Sequence, residues 1–310
     1  MNIVVPISTL IAFGCVSGIL SAQEHGAEAP AHVVNTLVNE KSKHSHDTQC
    51  RVSAGAAGRA VVLAFDCNPK GVLCLTFDDR HWERWTAAMP IFEKYGARAS
   101  FFPNGQLDAN ALTCLKKLYD AGHTIGVHTM RHLNAPDAVA AIGFDAYWKQ
   151  EIAPQMAALS SAGIVSRSLA YPNNRRSDEI DEALAARGIN RLRAGLVGVR
   201  PYDPEGKKRL SLVPFPKLDA LYLDAETVRT NRLMRGVGIG TAYGTDIDDL
   251  CAGLRRAASR GETVVFFSHD IAAQPNSISM RTEWLEKILA TAKEEGMSVL
   301  GFDDLPRLGH

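Results

Sequence analysis

The sequence lacks several signals that would identify common classes of protein. The 310 residues include 34 Lys and Arg and 34 Asp and Glu, so the chain has no net charge at pH 7. Proteins that bind nucleic acids usually carry a basic excess, so we expect no nucleic-acid partner. No dinucleotide fingerprint and no phosphate-binding loop occurs, and the glycines at 236–240 fit a Gly-rich strand better. Nothing in the sequence requires a protein partner.

Cysteine pairs at metal-binding spacing are also absent. The six cysteines contain no Cys-x-x-Cys pair, so we expect no thiolate zinc site. Cys74 and Cys114 lie within apolar patterns and are predicted to be small core residues. Loss of Cys15 with a leader would leave five cysteines, which excludes a fully paired disulfide framework. Only Cys50 and Cys67 are considered as a bridged pair.

The first 22 residues contain no charged side chain, and residues 3–20 are largely apolar. This pattern predicts a signal peptide at 1–22, so we expect a secreted, periplasmic or cell-envelope protein. A lipoprotein site at Cys15 and a membrane anchor are the alternatives. Residues 23–58 are polar and His-rich and are predicted to be a leader or linker, which leaves 59–310 as a single catalytic domain.

Apolar, β-rich runs alternate with helical patterns along the rest of the chain. The predicted strands are 61–65, 72–77, 124–127, 165–171, 263–267 and 298–302. Helices are predicted after the caps Asp108, Ser177 and either Thr245 or Asp246, over 147–162, and along the apolar stripe at 284–292. Because each helix returns the chain to the same edge of the sheet, neighbouring strands should be parallel. About seven such units predict an α/β barrel rather than an open sheet.

Two adjacent carboxylates, Asp78 and Asp79, follow an apolar strand. Burying either one without a partner would cost several kcal/mol, so both should lie at the open end of the strand, where parallel α/β folds place their sites. In the alternative interpretation, Asp79 caps a helix that contains Trp82 and Trp85.

Histidines follow two other predicted strands. His128 and His132 are four residues apart, a spacing that suits two ligands of one metal ion. His269 follows the apolar strand at 263–267 and is suited to proton transfer near neutral pH, with Asp270 as either its orienting group or a cap. His123 lies at the other end of its strand and is predicted to be structural.

Two carboxylates and three histidines at three strand ends form a set typical of a metal-dependent hydrolase. Two histidines and one carboxylate leave open positions on a metal, and the remaining carboxylate and histidine can act as base and acid. A non-haem iron oxygenase uses the same ligand types, but its ligands usually lie on a β-sandwich rather than on alternating strands and helices.

Five segments, in this order, resemble the motifs of one family. They are T-F-D-D at 76–79, A-R-A-S-F-F at 97–102, A-G-H-T-I-G-V-H-T at 121–129, S-H at 268–269 and G-M-S-V-L-G-F at 296–302. From about residue 61 to 305 the chain thus resembles the polysaccharide deacetylases of carbohydrate esterase family 4, which share the NodB-type domain. The resemblance implies a distorted (β/α)7-type barrel and a hydrolase acting on carbon–nitrogen bonds other than peptide bonds.

The resemblance also implies a role for each candidate site residue. Asp78 would be the general base, and His269 would be the general acid that protonates the leaving amine. Asp79, His128 and His132 would hold a divalent metal, usually Zn²⁺ with Co²⁺ as an alternative, that polarises the acetyl carbonyl.

Three departures from the family pattern stand out. The family commonly has Gly where this chain has Arg80, and the motif Arg that usually orients the base is replaced by Ala170. Another cation must therefore steady Asp78, and Arg80 or Arg167 are the candidates. The family's Trp-containing motif has no clear counterpart, with Trp82, Trp148 and Trp284 as candidates.

The third family motif here reads Ala-Tyr-Pro-Asn-Asn at 170–174. By this alignment, the backbone N–H of Asn173 would donate to the oxyanion, and Tyr171 would belong to the same substrate-binding segment.

The function these residues predict is removal of N-acetyl groups from an amino-sugar polymer such as peptidoglycan, chitin or poly-N-acetylglucosamine. The alternatives are O-acetyl ester hydrolysis on xylan, hydrolysis of a small non-peptide amide, and glycan binding without turnover. In each of the glycan cases, the expected partner is an acetylated glycan.

Overall fold

In a computed structural model of the chain, the structure describes residues 70–196 and 214–305, all within the unit Ala64–His310. The predicted signal peptide, polar leader and first strand lie outside these residues, as do Cys15, Cys50 and Cys67. Cys74 and Cys114 are buried free thiols, as predicted, and so is Cys251. No helix in the two described ranges is both long and apolar enough to cross a membrane.

Short strands and helices alternate along the described chain. The strands are β1 Val72–Asp79, β2 Ser100–Pro103, β3 Thr124–Ile125, β4 Ser168–Ala170, β5 Arg191–Gly195, β6 Tyr222–Leu223, β7 Leu233–Gly238, β8 Thr263–Ser268, β9 Ile271–Ala272, β10 Met280–Arg281 and β11 Ser298–Val299. The α-helices are α1 Trp82–Ala87, α2 Met89–Tyr95, α3 Ala109–Asp120, α4 Ala135–Ile142, α5 Phe144–Tyr147, α6 Ala153–Ser161, α7 Asp178–Ala185, α8 Ala225–Thr230, α9 Ile247–Arg260 and α10 Thr282–Glu294. A π-helical turn at Trp148–Ile152 joins α5 to α6, and a 3₁₀ turn at Pro172–Asn174 follows β4.

Seven parallel strands form the barrel that the sequence predicts. Their order is β3-β2-β1-β8-β7-β5-β4, and every neighbouring pair on this path is parallel. A parallel bridge between Val127 and Leu169 joins the two ends of the path. The carboxyl ends of all seven strands therefore surround one mouth, which brings residues from distant parts of the sequence together.

Side-chain caps begin several of the predicted helices. The Asp108 carboxylate accepts the Ala111 N–H at 2.8 Å and begins α3, and Ser177 begins α7 in the same way. Asp246 rather than Thr245 caps α9, because its carboxylate accepts the backbone N–H groups of Asp248 and Asp249. These caps satisfy N–H groups that the first turn of a helix leaves unpaired.

The strands also separate two apolar layers. Along β1, Leu73, Leu75 and Phe77 pack into the main core, whereas Cys74 belongs to a smaller cluster with Phe102, Val265 and Phe302. Since side chains alternate between the two faces of a strand, the even-numbered residues of β1 form one row and Asp78 continues that row at the barrel mouth.

The main core contains an aromatic cluster centred on Phe101. Its ring packs on Phe77, Trp85 and Phe92 with ring centroids 5.2–6.0 Å apart. The His123 imidazole lies against the same ring, and its Nδ1 accepts the Ala99 N–H at 3.0 Å. Burial lowers the pKa of His123 to about 4, so the ring is neutral and structural, as the sequence predicts.

Replacing Phe101 with Ala should therefore lower the free energy of unfolding by about 3–5 kcal/mol, because the substitution removes buried apolar surface and leaves a cavity. The matched control is Ile142→Ala on α4, where the side chain is 42% exposed and the expected loss is below about 1 kcal/mol. Urea unfolding followed by circular dichroism measures both changes. Equal losses for the two variants would contradict the position assigned to Phe101.

Candidate metal centre and active site

The two carboxylates at the end of β1 have different surroundings. Asp78 is 3% exposed, whereas Asp79 is partly exposed. Asp79 has φ 80°, in the left-handed region, where a short polar side chain is tolerated better than most others. Helix α1 begins later, with His81 at its N-cap position, so the alternative interpretation of Asp79 as a helix cap is wrong.

His128 and His132 lie on the loop after β3, beside Asp79. Their Nε2 atoms are 3.1 Å apart, and each lies 3.8 Å from Asp79 Oδ1. Thr129 and His132 both have positive φ, so the loop turns sharply enough to bring the two imidazoles together. The His128 Nδ1–H donates to the Ala170 carbonyl at 2.8 Å, which leaves Nε2 directed at the other two side chains.

The donor atoms of Asp79, His128 and His132 fit a small divalent cation. One ligand atom from each lies within 4.8 Å of the others. Two nitrogens at about 2.05 Å from a tetrahedral zinc are about 3.3 Å apart, close to the separation of the two Nε2 atoms. Burial lowers the pKa of His128 to about 4, so its ring is in the neutral form that binds metals.

A buried glutamate holds the histidine loop from behind. Glu151 lies in the π-helical turn at Trp148–Ile152 and is fully buried. Its carboxylate accepts the Arg131 backbone N–H at 2.8 Å and also pairs with the Arg131 side chain. The Glu151 carbonyl accepts the Met130 N–H at 3.0 Å, so the residues between the two histidines are fixed on both sides.

A buried glutamine one turn later joins this loop to the end of β2. The side-chain oxygen of Gln155 accepts the His128 N–H at 3.3 Å. Its NH₂ group donates to the carbonyls of Pro103 at 3.1 Å and Gly105 at 3.0 Å. The Gly105 N–H in turn donates to the Thr129 carbonyl at 2.9 Å. Gln155 thus ties the first histidine to the neighbouring strand end.

The cation beside Asp78 is Arg193 on β5, and both candidates named from the sequence are wrong. Arg193 Nη2 donates to Asp78 Oδ2 in a buried ion pair. Arg80 instead donates from Nε to Asn104 Oδ1 at 2.9 Å, and Arg167 makes no ion pair with Asp78. Burial raises the pKa of Asp78, but the ion pair and hydrogen bond with Arg193 contribute most to the opposing effect, and the pKa lies below its ordinary value.

Asp78 is therefore ionised at neutral pH, and one of its two carboxylate oxygens is not engaged by Arg193. Arg193 engages its Oδ2, whereas Oδ1 is buried without a hydrogen-bond partner among the described residues. A free carboxylate oxygen beside the metal donors is suited to accept a proton from water.

His269 completes the group at the end of β8. Its Nε2 lies 3.9 Å from Asp79 Oδ2, and its Nδ1–H donates to the Ile278 carbonyl at 2.9 Å. Asp270 does not orient this ring: its carboxylate pairs with Arg84 and accepts the Ile271 N–H. The ring therefore presents Nε2 to the mouth of the barrel.

An aromatic residue anchors the backbone of His269. The Trp85 indole N–H donates to the His269 carbonyl at 2.7 Å. Trp82, Trp148 and Trp284, the candidates named from the sequence, are instead partly buried residues packed against the main core. The Tyr243 ring lies parallel to the His269 ring at 6.3 Å between centroids, so the aromatic neighbour at this side of the site is a tyrosine.

The residues of the third motif lie on the opposite side of the mouth. Asn173 and Asn174 have φ 53° and 57°, and the Asn173 side chain donates to Asn134 Oδ1 at 2.9 Å. The Tyr171 ring is buried, and its hydroxyl donates to Asp181 Oδ1 at 2.5 Å. Burial and this hydrogen bond raise the pKa of Tyr171, so the side chain serves the core and only its backbone lies near the mouth.

Backbone strain is concentrated at this mouth. Of the residues that the structure describes, five other than glycine have positive φ: Asp79, Thr129, His132, Asn173 and Asn174. Asp79 is the last residue of β1, and the other four follow β3 or β4. Such conformations cost on the order of 1–3 kcal/mol each and cluster at functional sites.

Comparison with known proteins finds similarity to one family over part of the chain. The sequence model of the polysaccharide deacetylase family matches residues 65–192. A chitin deacetylase from Arthroderma benhamiae is 35% identical over 69 residues, which are 21% of this chain and 19% of the relative. The match thus spans about a fifth of that relative's length.

Two solved structures are also similar to the chain. The Bc1960 peptidoglycan N-acetylglucosamine deacetylase is 17% identical, with 77% of this chain and 89% of that chain covered and a TM-score of 0.50. A family 4 carbohydrate esterase from Streptomyces lividans is also 17% identical, with 76% and 96% covered and a TM-score of 0.49. The first of these likenesses shows that the two chains share a fold.

The Gln155 contacts predict an effect on metal affinity. Gln155→Met keeps the side chain's length but removes its three hydrogen bonds to the loops, so Zn²⁺ affinity should fall about 10–100-fold. Competition with a chromophoric chelator measures this affinity without any substrate.

Gln150→Met is the matched control, because Gln150 is an exposed glutamine in the preceding π-helical turn and contacts only the Arg131 side chain. Its Zn²⁺ affinity should equal that of the unaltered protein. An unchanged affinity in a folded Gln155→Met protein would show that the loop keeps its geometry without Gln155.

Proposed function

We propose that the protein, whose residues 65–192 match the sequence model of the polysaccharide deacetylase family, is a metal-dependent hydrolase that removes N-acetyl groups from an amino-sugar polysaccharide. The observation that carries the proposal is the grouping of Asp79, His128 and His132 within 4.8 Å, with an ionised carboxylate and a third imidazole beside them. Metal-dependent hydrolysis of an amide uses these elements together: a Lewis acid, a base and an acid.

Each residue of the site has a role in this reaction. Asp79, His128 and His132 would hold a divalent ion, proposed to be Zn²⁺ with Co²⁺ as an alternative, and this ion would supply Lewis-acid polarisation of the acetyl carbonyl and of the attacking water. Asp78 accepts the proton of that water at Oδ1, the oxygen that Arg193 leaves free. His269 then donates a proton from Nε2 to the leaving amine.

The Asn173 backbone N–H is the proposed donor to the oxyanion formed when water adds to the carbonyl. The positive φ of this residue turns its peptide away from the path of a regular helix. A donor placed where negative charge develops is often worth a few kcal/mol in the transition state.

A proton donor at His269 favours an amide over an ester substrate. An amine leaves only after it gains a proton, whereas an ester alkoxide needs this assistance less. We therefore place N-acetylated glycans ahead of O-acetylated xylan, and the choice between peptidoglycan, chitin and poly-N-acetylglucosamine rests with the experiment.

Export of the protein is a separate proposal, supported by the uncharged, apolar residues 1–22. Expressed with its own N-terminus, the protein should be found outside the cytoplasm with its first residue near 23, as determined by N-terminal sequencing. An intact N-terminus on a cytoplasmic protein would contradict this proposal and favour a small-molecule amide as substrate.

Acetate release from chitooligosaccharides tests the proposed reaction. The metal-loaded protein should release acetate, a chelator should abolish the release, and Zn²⁺ or Co²⁺ should restore it. Asp78→Asn should lower kcat about 10²–10⁴-fold, because the base is lost while the metal donors remain.

Asp145→Asn is the control for that substitution, since Asp145 is 90% exposed and pairs only with Arg187. Its activity should match that of the unaltered protein. If the protein releases acetate from acetylated xylan but not from chitooligosaccharides, the substrate is an ester rather than an amide. If the unaltered protein and the Asp78→Asn variant both bind glycan and neither releases acetate, the chain is a binding module.

A further inference from the structure

The cation that the family motif would place at residue 170 lies one strand away, at the same level of the barrel. Ala170 on β4 and Arg193 on β5 are direct partners in the parallel pairing of these strands. The Tyr171 N–H also donates to the Arg193 carbonyl at 2.9 Å. The Arg193 side chain thus leaves the backbone next to Ala170, and its guanidinium extends from there to Asp78.

Contacts on several sides hold the Arg193 guanidinium in one orientation. Nη2 donates to Asp78 Oδ2, and Nη1 donates to Asn174 Oδ1 at 2.7 Å. The guanidinium carbon Cζ lies over the Phe267 ring, 4.7 Å from its centroid, and Arg193 is 1% exposed. A planar fork with donors in fixed directions can satisfy both oxygen acceptors at once, which a lysine ammonium on a flexible stem does less well.

The second acceptor belongs to the turn that follows β4. Asn174 has φ 57° and ends the 3₁₀ turn Pro172–Asn174, which contains the proposed oxyanion donor Asn173. A Cβ at Gly195 would lie 2.8 Å from the Asn174 side-chain amide, so only glycine leaves room for that amide beside β5. The amide is therefore seated between Gly195 and Arg193.

We infer that Arg193 is a positioning residue that replaces the cation missing at position 170 and links the general base Asp78 to the turn carrying Asn173. The predicted effect on catalysis rests on the proposed function. The contacts of Arg193 with Asp78 and Asn174 do not. One guanidinium sets the distance between the group that deprotonates water and the group that stabilises the oxyanion. Misplacing either group by about 1 Å can cost about 10²-fold in rate.

The first experiment is a substitution series with chemical rescue. Arg193→Ala should lower kcat about 10²-fold or more, with a smaller change in KM, because substrate binding does not use the guanidinium. Zn²⁺ content should stay at one per chain, since Arg193 contacts none of the three metal donors. Millimolar guanidinium chloride should restore part of the kcat of this variant, and Arg193→Lys should retain less activity than the rescued protein.

Two further variants separate positioning from folding. Arg229→Ala removes an exposed arginine on α8 that pairs with Glu226, and guanidinium should change neither its activity nor that of the unaltered protein. Arg193→Ala combined with Ala170→Arg returns the cation to the adjacent strand and should recover activity lost in the single variant. Activity that is lost together with Zn²⁺ or with the folded state, and is not recovered by guanidinium, would overturn the inference.

A second experiment does not depend on turnover. A crystal of the Arg193→Ala protein soaked with guanidinium should contain the ion between Asp78 and Asn174. An empty position, or unchanged kcat in the folded Arg193→Ala protein, would overturn the inference and leave the proposed function standing. Failure of the unaltered, Zn²⁺-loaded protein to release acetate would instead overturn the proposed function, and the soaked crystal would still decide the link.

Discussion

The buried ion pair between Asp78 and Arg193 constrains the whole mouth of the barrel. The two residues lie on β1 and β5, which are separated by two other strands in the barrel. The pair therefore joins strands across the opening rather than two hydrogen-bonded neighbours. Removing one partner of a buried pair commonly costs about 3–5 kcal/mol, because the other charge is left without compensation. The same pair keeps the carboxylate ionised and leaves its Oδ1 without a hydrogen-bond partner among the described residues.

The loops around this pair combine strain with buried support. Asp79, His132 and Asn173 adopt backbone conformations that favour glycine, yet none of them is glycine. This indicates that the function of their side chains outweighs the cost of the backbone strain. Glu151 and Gln155 compensate by satisfying the backbone of the strained histidine loop and of its neighbour. Because both supports are buried side chains on consecutive turns of one helical segment, the two metal-binding histidines are positioned by that segment as well as by the loop.

The parts of this arrangement that the sequence could predict are those with strong local signals. The apolar run of β1 followed by two aspartates, the four-residue spacing of His128 and His132, and the caps Asp108 and Ser177 all follow from neighbouring residues alone. Strand β5 was not predicted, although polar and apolar side chains alternate along residues 191–194, because arginine is rarely fully buried in a strand. Arg191 and Arg193 occupy positions on one face that would normally be apolar, and both are buried. The assignment of Arg80 as the missing cation was wrong for a related reason: closeness in sequence to Asp78 does not bring its guanidinium to the carboxylate, which Arg193 reaches from a strand more than a hundred residues later.

A buried carboxylate that acts as a base requires a positive charge beside it. In a parallel barrel, residues on more than one neighbouring strand can place a cation at that position. Ala170 and Arg193 are partners in register, so their side chains leave adjacent strands at the same height. Loss of an arginine from one motif is therefore a weak argument for loss of activity, because the electrostatic requirement can be met from the next strand. The pairing of β4 with β5 shows that Arg193 can take the place of an arginine at 170. The sequence of either strand alone does not show this.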